Sequence, residues 1–499
     1  MASHRGKLVS GAAWLGGARL AANALGTLST IVLARLLTPD DFGLVALALS
    51  MVAIVSAFTD RSLSSAVVQI DDPTIAHYHT AWTLGLCRGL LVAGAFIIAA
   101  YPVAAAFEEP RLAPIMMVLS TSLLLSGLEN PRAIMLTKKL VFWQQFMLEV
   151  AQKFVALIVA IAVAFVYQSY WAIVAGLVAG KVSGLLLSYT VLPFLPRLSF
   201  RHMRELFSFT GWITLGKVIN TLNWRFDHLL IGGMIGRADL GFYTMGDNLA
   251  VIPTRETTMP LQSVLFPAFT LIKHDRERFA AQYQKAQATI TAIVLPLGIG
   301  MALVAEPLVR FAIGEKWLPA VIVIQALASV FALQTIGSLA PAVAMAAGRT
   351  RLLFWRNLQA FAIRIPFIIA GMLIAGFHGI VLARVLSGTL GIGLNMKVIR
   401  EVCGLRLSEQ LRENLRSIFS AAIMAAVVVT VDWMGSWGTD TAELLLHLFV
   451  LIAAGAIVYP AAMAGLWMAA GKPRGPETEL WTLARSAPAG LKRKMGRTA

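Results

Sequence analysis

Long apolar stretches separated by short polar loops run through almost the whole chain, from about residue 11 to about residue 469. Each stretch holds roughly 20 residues, which is the length that an α-helix needs to cross the hydrocarbon core of a bilayer. The pattern therefore predicts an all-α integral membrane protein with about fourteen transmembrane helices. The predicted spans are 11–36, 42–60, 79–101, 112–130, 146–167, 171–194, 208–235, 240–270, 286–305, 318–346, 357–376, 378–396, 418–435 and 444–469.

The composition agrees with a chain whose main solvent is lipid. Of its 499 residues, 58% are hydrophobic and only 14% are charged, and the mean hydropathy is +0.74. Soluble domains carry about 25% charged residues, so this balance excludes an ordinary soluble enzyme. Cys87 in a predicted span and Cys403 in a loop are too few for a disulfide framework.

Positive charge indicates which loops face the cytoplasm, because Lys and Arg accumulate in short inner loops. With both termini cytoplasmic, the predicted inner loops and the tail hold 27 Lys and Arg residues. The predicted outer loops hold only Arg111, Arg237, Arg310 and Lys316. The net charge of +16 is thus mainly a signal of topology, with anionic membrane lipid as its partner. We expect no nucleic-acid partner.

The chain repeats itself at a fixed offset of 198 residues, which relates the seventh and eighth predicted spans to the first and second. The copies agree at equivalent points, including a cation within the span and an acid and a glycine at the next turn. The matched pairs are Ser10 with Ser208, Trp14 with Trp212, Arg19 with Lys217, Asp41 with Asp239, and Gly43 with Gly241. Since an even number of spans separates the copies, we predict two six-helix lobes related by a pseudo-two-fold axis along the membrane normal.

This symmetry divides the chain into five predicted segments. The N-lobe covers 1–195, a cytoplasmic linker covers 196–207, and the C-lobe covers 208–400. A cytoplasmic loop and the last two spans follow at 401–470, and a basic cytoplasmic tail ends the chain at 471–499. Two lobes that face each other are typical of transporters that work by alternating access.

Charged side chains inside the spans are costly, at about 2.5 to 3.5 kcal/mol each on insertion scales, so they usually face a cavity or a partner. Arg19 and Lys217 occupy matching positions of the repeat, each on a polar helix face. We predict that such cations hold a diphosphate or a similar anion; the alternative is that they snorkel to lipid headgroups. The candidate substrate-binding residues are Arg19, Asn23, Arg88, Lys217, Arg225 and Arg255.

Acidic residues are scarcer within the spans and lie mainly in the second predicted lobe. Asp227, Asp247 and Glu256 are candidates for coupling transport to protons or sodium, and pairing with Arg225 or Arg255 is the alternative. The eight histidines show no metal-ligand spacing. We expect no catalytic residue, no metal and no cofactor.

Five short runs carry a family resemblance. They are Ala34–Gly43, Phe58–Gln69, Arg225–Gly232, Leu265–Phe269 and Gly314–Trp317. These runs resemble the polysaccharide exporter, or Wzx-type oligosaccharide flippase, branch of the multidrug/oligosaccharidyl-lipid/polysaccharide (MOP) superfamily. The resemblance implies that the chain moves an oligosaccharide on an undecaprenyl-diphosphate carrier across the bacterial inner membrane, for exopolysaccharide or lipopolysaccharide synthesis. A polysaccharide polymerase and export machinery would be its partners, beside the substrate and membrane lipids.

Two other functions remain as alternatives. A multidrug exporter of the same superfamily would need carboxylates for cationic drugs, and no acid lies centrally in the first six predicted spans. A membrane glycan polymerase or acyltransferase would need a large outer loop or a histidine-centred site. The longest predicted outer loops, around 107–111 and 306–317, are short. We therefore expect a transporter and not an enzyme.

Overall fold

Helices form the regular structure of the part of the chain that the computed structural model describes. That part comprises residues 21–59, 70, 73–133, 142–203, 211–435, 437–438, 440–473, 475 and 477–478, and it contains no strand. The helices that precede residue 231 are α1 (Ala21–Leu36), α2 (Pro39–Thr59), α3 (Ile75–Ala106), α4 (Leu112–Gly127), α5 (Phe142–Tyr167), α6 (Trp171–Val191) and α7 (Gly211–Leu230). After a π-helical segment (Ile231–Ile235) come α8 (Arg237–Ile272), α9 (Arg276–Leu303), α10 (Ala305–Ala312), a 3₁₀ turn (Glu315–Trp317), α11 (Ala320–Gln334), α12 (Ala340–Ala346), α13 (Thr350–Cys403), α14 (Leu407–Arg412), α15 (Leu415–Met434) and α16 (Thr441–Ala469).

The predicted all-α membrane class is confirmed. Eight helices of the described residues are long and apolar enough to cross a membrane, and three shorter apolar helices add to them. Each predicted span overlaps helix within its described residues, and positions 11–20, 60 and 208–210 lie outside the described residues. The number of fourteen crossings stays a prediction.

The start of α2 shows how a short polar run sets a helix boundary. The Thr38 hydroxyl donates to Asp41 Oδ2 at 2.6 Å, and the Asp41 amide donates back to Thr38 Oγ1 at 3.3 Å. This reciprocal cap satisfies amide groups that lack partners within the helix, and Pro39 fits the first helical position. Asp41 Oδ1 also accepts a hydrogen bond from the Tyr170 amide at 3.1 Å, which ties α2 to the start of α6.

Helix α13 has 54 residues and would be about 80 Å long if it were straight, far more than one crossing needs. Its backbone leaves helical geometry at Ala375 and Gly376, and Gly376 has φ +55°, which glycine adopts without strain. The two arms then pack directly against each other at Gly371 and Gly379, where a β-carbon would overlap the facing backbone. The break falls at the predicted boundary between two spans.

The predicted span at 318–346 is interrupted between α11 and α12, where the buried Gln287 and the half-buried Gln262 bond to the backbone. Gln287 of α9 donates through Nε2 to the Thr335 carbonyl and accepts through Oε1 from the Leu339 amide at 3.3 Å. Gln262 Nε2 donates to the Ser338 carbonyl at 3.1 Å. Backbone groups inside a bilayer must find such partners, so these side chains replace the missing helical hydrogen bonds.

The chain folds into two compact units, residues 1–244 and 245–499. In the first unit α5 packs on α6, α3 on α4, and α2 on α7. In the second unit α9 packs on α11 and α15, and α15 packs on α16. The boundary between the units lies within α8, so the start of that helix belongs to the first unit. The predicted segments at 1–195, 208–400 and beyond stay a prediction.

Candidate substrate cavity

Helix α2 packs along α7, and near its start its backbone touches the start of α8. Gly43 lies against the Arg237 carbonyl, and Gly241 lies against the Pro39 carbonyl; a β-carbon at either glycine would overlap the facing backbone. Positions 39 and 43 correspond to 237 and 241 by the repeat offset of 198. The contact is therefore pseudo-symmetric. Residues 39–43 and 237–241 form what we term the outer contact, because the predicted topology places both on the outer side.

Four charged side chains alternate in sign around the outer contact. Arg111 bonds Glu109 (Nε to Oε1, 2.9 Å) and Asp40 (Nη2 to Oδ2, 2.9 Å). Arg237 bonds Asp40 (Nε to Oδ1, 3.0 Å) and also pairs with Glu109. The Glu109 side chain is only 3% exposed, and a buried carboxylate requires such partners to offset its lost hydration. This ion cluster joins the start of α2, the loop between α3 and α4, and the start of α8.

The ion cluster does not follow from the sequence pattern, in which Arg111 and Arg237 are only charges of outer loops. One signal was present in the sequence: the predicted outer loops hold four cations, and two of them belong to the cluster. The acidic partner Asp40 lies 71 and 197 residues away from these two arginines. Only the folded chain brings these residues together.

Further along α2 an open cavity of about 310 Å³ lies between α2 and α7. Its lining comprises Ala53, Ser56 and Ala57 of α2 with Lys217, Asn220, Thr221, Trp224 and Arg225 of α7. Ala53 lies ten residues beyond Gly43, which is about 15 Å along the helix. The cavity thus lies on the predicted inner side of the outer contact. The small side chains of α2 leave the space into which the longer side chains of α7 project.

The cavity lining carries positive charge. Lys217 and Arg225 supply two cations, Asn220 and Thr221 supply hydrogen-bonding groups, and none of the described lining residues is acidic. Hydrogen bonds from charged donors to phosphate are about twice as strong as those between neutral groups. Lysine offers a mobile point charge and arginine a planar fork of donors. The arrangement therefore suits an anion with several acceptor oxygens.

The other four predicted substrate-binding residues are not part of this described lining. Arg19 lies outside the described residues. Asn23 is exposed on α1, and Arg88 is half-buried on α3. Arg255 is exposed on α8, within the second unit. Their roles in binding stay predictions.

The predicted coupling residue Asp227 is fully buried and does not line the cavity. Tyr243 Oη donates to Asp227 Oδ2 at 2.5 Å, and the rings of His228 and Tyr243 meet edge to face with centroids 5.4 Å apart. Helix α7 then passes into its π-helical segment, an irregularity that is frequent at functional sites. Asp247 and Glu256 are half-buried on α8 in the second unit. Coupling to an ion by these three acids stays a prediction.

Two further cations that the sequence places within spans have identifiable neighbours. Lys181 Nζ bonds Glu129 Oε1 at 3.2 Å, and the Arg384 guanidinium lies 5.9 Å from the centroid of the Phe331 ring. A partner of opposite charge or an aromatic face lowers the cost of a cation in the membrane. Local packing therefore accounts for these two residues.

Comparison with known proteins gives a consistent family. A protein-family model described as "Polysaccharide biosynthesis protein" matches residues 32–322. The chain is 27% identical to the lipopolysaccharide biosynthesis protein WzxC of Escherichia coli K12 over 392 residues, which cover 77% of this chain and 79% of that protein. It is 23% identical to the teichuronic acid biosynthesis protein TuaB of Bacillus subtilis over 405 residues, which cover 80% and 83%.

Solved structures share the fold. The lipid II flippase MurJ, in an inward closed conformation, matches with a TM-score of 0.74 at 14% identity and covers 91% of this chain and 98% of its own. A multidrug resistance MATE family transporter of the MOP superfamily, in an inward-facing conformation, matches with a TM-score of 0.60 at 12% identity and covers 76% and 94%. At these identities the similarity establishes the fold alone.

Proposed function

Since this chain belongs to the polysaccharide biosynthesis protein family, whose model matches residues 32–322, we propose that it is a flippase for an undecaprenyl-diphosphate-linked oligosaccharide. It moves this substrate across the bacterial inner membrane for exopolysaccharide or lipopolysaccharide synthesis, and it is not an enzyme. The observation that carries the proposal is the cavity between membrane helices that Lys217 and Arg225 line. WzxC and TuaB bear the names of polysaccharide biosynthesis proteins, and MurJ bears the name of a lipid flippase.

The positive charge of the cavity lining favours a diphosphate over a cationic drug. The carrier's diphosphate brings negative charge and several acceptor oxygens, which match the two cations and the neighbouring Asn220 and Thr221. A multidrug exporter would need a carboxylate to hold a cation, and the residues described around this cavity include none. The charge of the site therefore supports the flippase.

The positions of the outer contact and the cavity support alternating access. The outer ends of α2 and α8 are in contact, whereas the cavity lies about 15 Å or more further toward the predicted inner side. A substrate from the inner leaflet would load into the cavity while the outer contact is closed. With both termini in the cytoplasm, separation of the outer contact would then release the substrate outward.

The remaining predicted residues extend the proposal along the substrate's path. Arg19, Asn23, Arg88 and Arg255 would guide the diphosphate before or after it occupies the cavity. Ion coupling by Asp227, Asp247 and Glu256 would drive the cycle in one direction. A polysaccharide polymerase and its export machinery would consume the flipped product.

Polymer output in the native host tests the proposal. Deletion of the gene should abolish the surface or secreted polymer, and the carrier-linked oligosaccharide should accumulate. Lys217→Gln and Arg225→Gln should each lower output about ten-fold or more at matched protein levels, since a hydrogen bond to a charged group contributes about 1.5 to 3 kcal/mol.

Arg310→Gln is the matched control, because Arg310 pairs with Glu306 at 3.0 Å and lies outside the cavity. Its output should stay within about two-fold of the wild type, as surface ion pairs contribute about 1 kcal/mol or less. Normal output from both cavity variants would remove the cavity from the substrate path. Drug sensitivity on deletion, with polymer output unchanged, would favour the multidrug exporter.

A further inference from the structure

Trp224 lines the cavity together with the two cations, in a part of the membrane where tryptophan is uncommon. In the predicted span 208–235 it lies 16 residues after the start and 11 residues before the end, or about 24 Å and 17 Å along the axis. Tryptophans that anchor a protein in the bilayer concentrate at the two membrane interfaces. Anchoring at an interface therefore does not explain Trp224.

The exposure of Trp224 also differs from that of a packing residue. Its surface is 37% exposed, whereas Trp317 is completely buried in the second unit and Trp433 is 85% exposed near the end of α15. Trp317 is a core residue and Trp433 a surface residue, whereas Trp224 is partly exposed and lines a cavity together with polar residues. An aromatic face beside cations and hydrogen-bonding groups is typical of a ligand site.

The chemistry of this face fits a sugar. One side of a pyranose ring presents C–H groups with partial positive charge, and these groups pack on the electron-rich face of an aromatic ring. The hydroxyl groups at the sugar's rim would find partners in Asn220 and Thr221, which lie on the same helix turn or the one before. Lys217 is seven residues before Trp224, on the same face of α7.

The cavity size sets how much of the substrate it holds. About 310 Å³ is at the small end of the range for small-molecule sites. It has room for a diphosphate and one sugar ring. The first sugar of the substrate is bonded directly to the diphosphate. It is therefore the sugar that would enter the cavity when the diphosphate binds.

We propose that Trp224 recognises the first sugar of the lipid-linked substrate by stacking on it, while Lys217 and Arg225 hold the diphosphate. The inference rests on the proposed function. It makes Trp224 a specificity-determining residue that distinguishes a carrier loaded with sugar from the bare undecaprenyl diphosphate that remains after the sugar chain is used. The flippase would thereby avoid moving an empty carrier.

Binding of two defined lipids to the purified full-length protein in nanodiscs tests the inference. The lipids are undecaprenyl diphosphate and undecaprenyl-diphospho-glucose. The wild type should bind the glucose-bearing lipid about three- to ten-fold more tightly. Trp224→Ala should bind both lipids equally, with the affinity for the bare lipid within about two-fold of the wild type. Trp224→Phe should keep most of the preference, because its ring can still stack, and Trp433→Ala should keep all of it.

The outcomes separate the inference from the function on which it rests. A preference for the glucose-bearing lipid that survives in Trp224→Ala would overturn the inference, as would equal binding of the two lipids by the wild type. Failure of the wild type to bind either lipid would instead overturn the proposed function. Retention of bare-lipid binding in Trp224→Ala shows that the variant is folded. If the alanine variant cannot be purified, Trp224→Leu, which has no aromatic face, should lose the preference in the same way, and a preference that survives in it would overturn the inference.

Discussion

The outer contact and the cavity both lie along α2, the first against the start of α8 and the second against α7, but they combine residues of different size and charge. At the outer contact, Gly43 and Gly241 allow the backbones to touch. In the cavity, α2 presents alanines and a serine to the long side chains of α7. Glycines on both segments let the two backbones meet, so no space remains between them. Small residues on one helix and long polar residues on the other leave room for a ligand.

The two regions also differ in charge balance. The ion cluster holds two arginines and two acids, which neutralise one another. The described cavity lining holds Lys217 and Arg225 and no acid. The outer contact thus brings charges of both signs together, while the described cavity lining carries cations, the sign that suits an anionic substrate. This difference is what a transporter needs if one region closes a path and the other binds the cargo.

Locking the outer contact should have the largest effect. In a background with Cys87→Ser and Cys403→Ser, we expect a short bifunctional thiol cross-linker between Asp40→Cys and Arg237→Cys to abolish polymer export, because the two segments must separate to release substrate. The same double variant without cross-linker should export. The control pair His79→Cys and Phe194→Cys replaces two stacked rings, 5.2 Å apart, at the other end of the first unit, and its cross-linking should be tolerated. Full export with the outer contact cross-linked would show that it does not open.

Adding single methyl groups should distinguish the contact from the open part of α7. Gly43→Ala should lower the free energy of unfolding by about 1 to 3 kcal/mol, since an added methyl must push the facing backbone away. Gly216→Ala is the matched control, because within the described part of the chain no atom beyond its own stretch of helix lies within 4 Å of its β-carbon position. That change should be neutral or stabilise the helix by up to about 1 kcal/mol. Thermal unfolding in detergent measures both, and equal midpoints would contradict the close contact.

Weakening the ion cluster should have a smaller effect, on how often the outer contact opens. Arg237→Gln removes pairs with Asp40 and Glu109, but the arginine side chain is 38% exposed, so solvent screens part of the loss. A loss of about 1 kcal/mol would change the open population roughly five-fold. Ala53→Cys provides a reporter thiol in the cavity. A membrane-impermeant maleimide added from outside should label this thiol about three- to ten-fold faster when Arg237→Gln is also present than when Arg237 is retained. Arg310→Gln should not change the labelling rate, and an unchanged rate in Arg237→Gln would mean that the cluster does not stabilise closure.

Several parts of the fold could be predicted because they depend on local sequence. The bilayer requires each spanning segment to satisfy its own backbone hydrogen bonds, so length and apolarity locate the helices. The break of α13 at Ala375 and Gly376 lies where the hydropathy pattern separates two spans. The resemblance to the Wzx-type branch is confirmed by the family model and by relatives such as WzxC.

The candidate site could be predicted only in part. The cost of an intramembrane cation pointed to Lys217 and Arg225, and both line the cavity. The same reasoning pointed to Asp227, which the structure buries under the Tyr243 hydroxyl instead of placing it in that lining. A helical face can be read from sequence periodicity, but the helix that covers that face cannot. Asp227 and Arg225 are two residues apart, and tertiary packing assigns them different surroundings.

By itself, the sequence determined the helical membrane class, the approximate positions of the described long helices and the pairing of Gly43 with Gly241 across the repeat. These properties follow from hydropathy, loop charge and self-similarity, which need no knowledge of contacts. Only the tertiary structure decided that the paired glycines touch the opposite copy's backbone, that Glu109 is buried between two arginines, and that α2 places small side chains opposite Lys217. Each of these facts depends on which distant segments meet, and a pattern along one helix does not specify its neighbour.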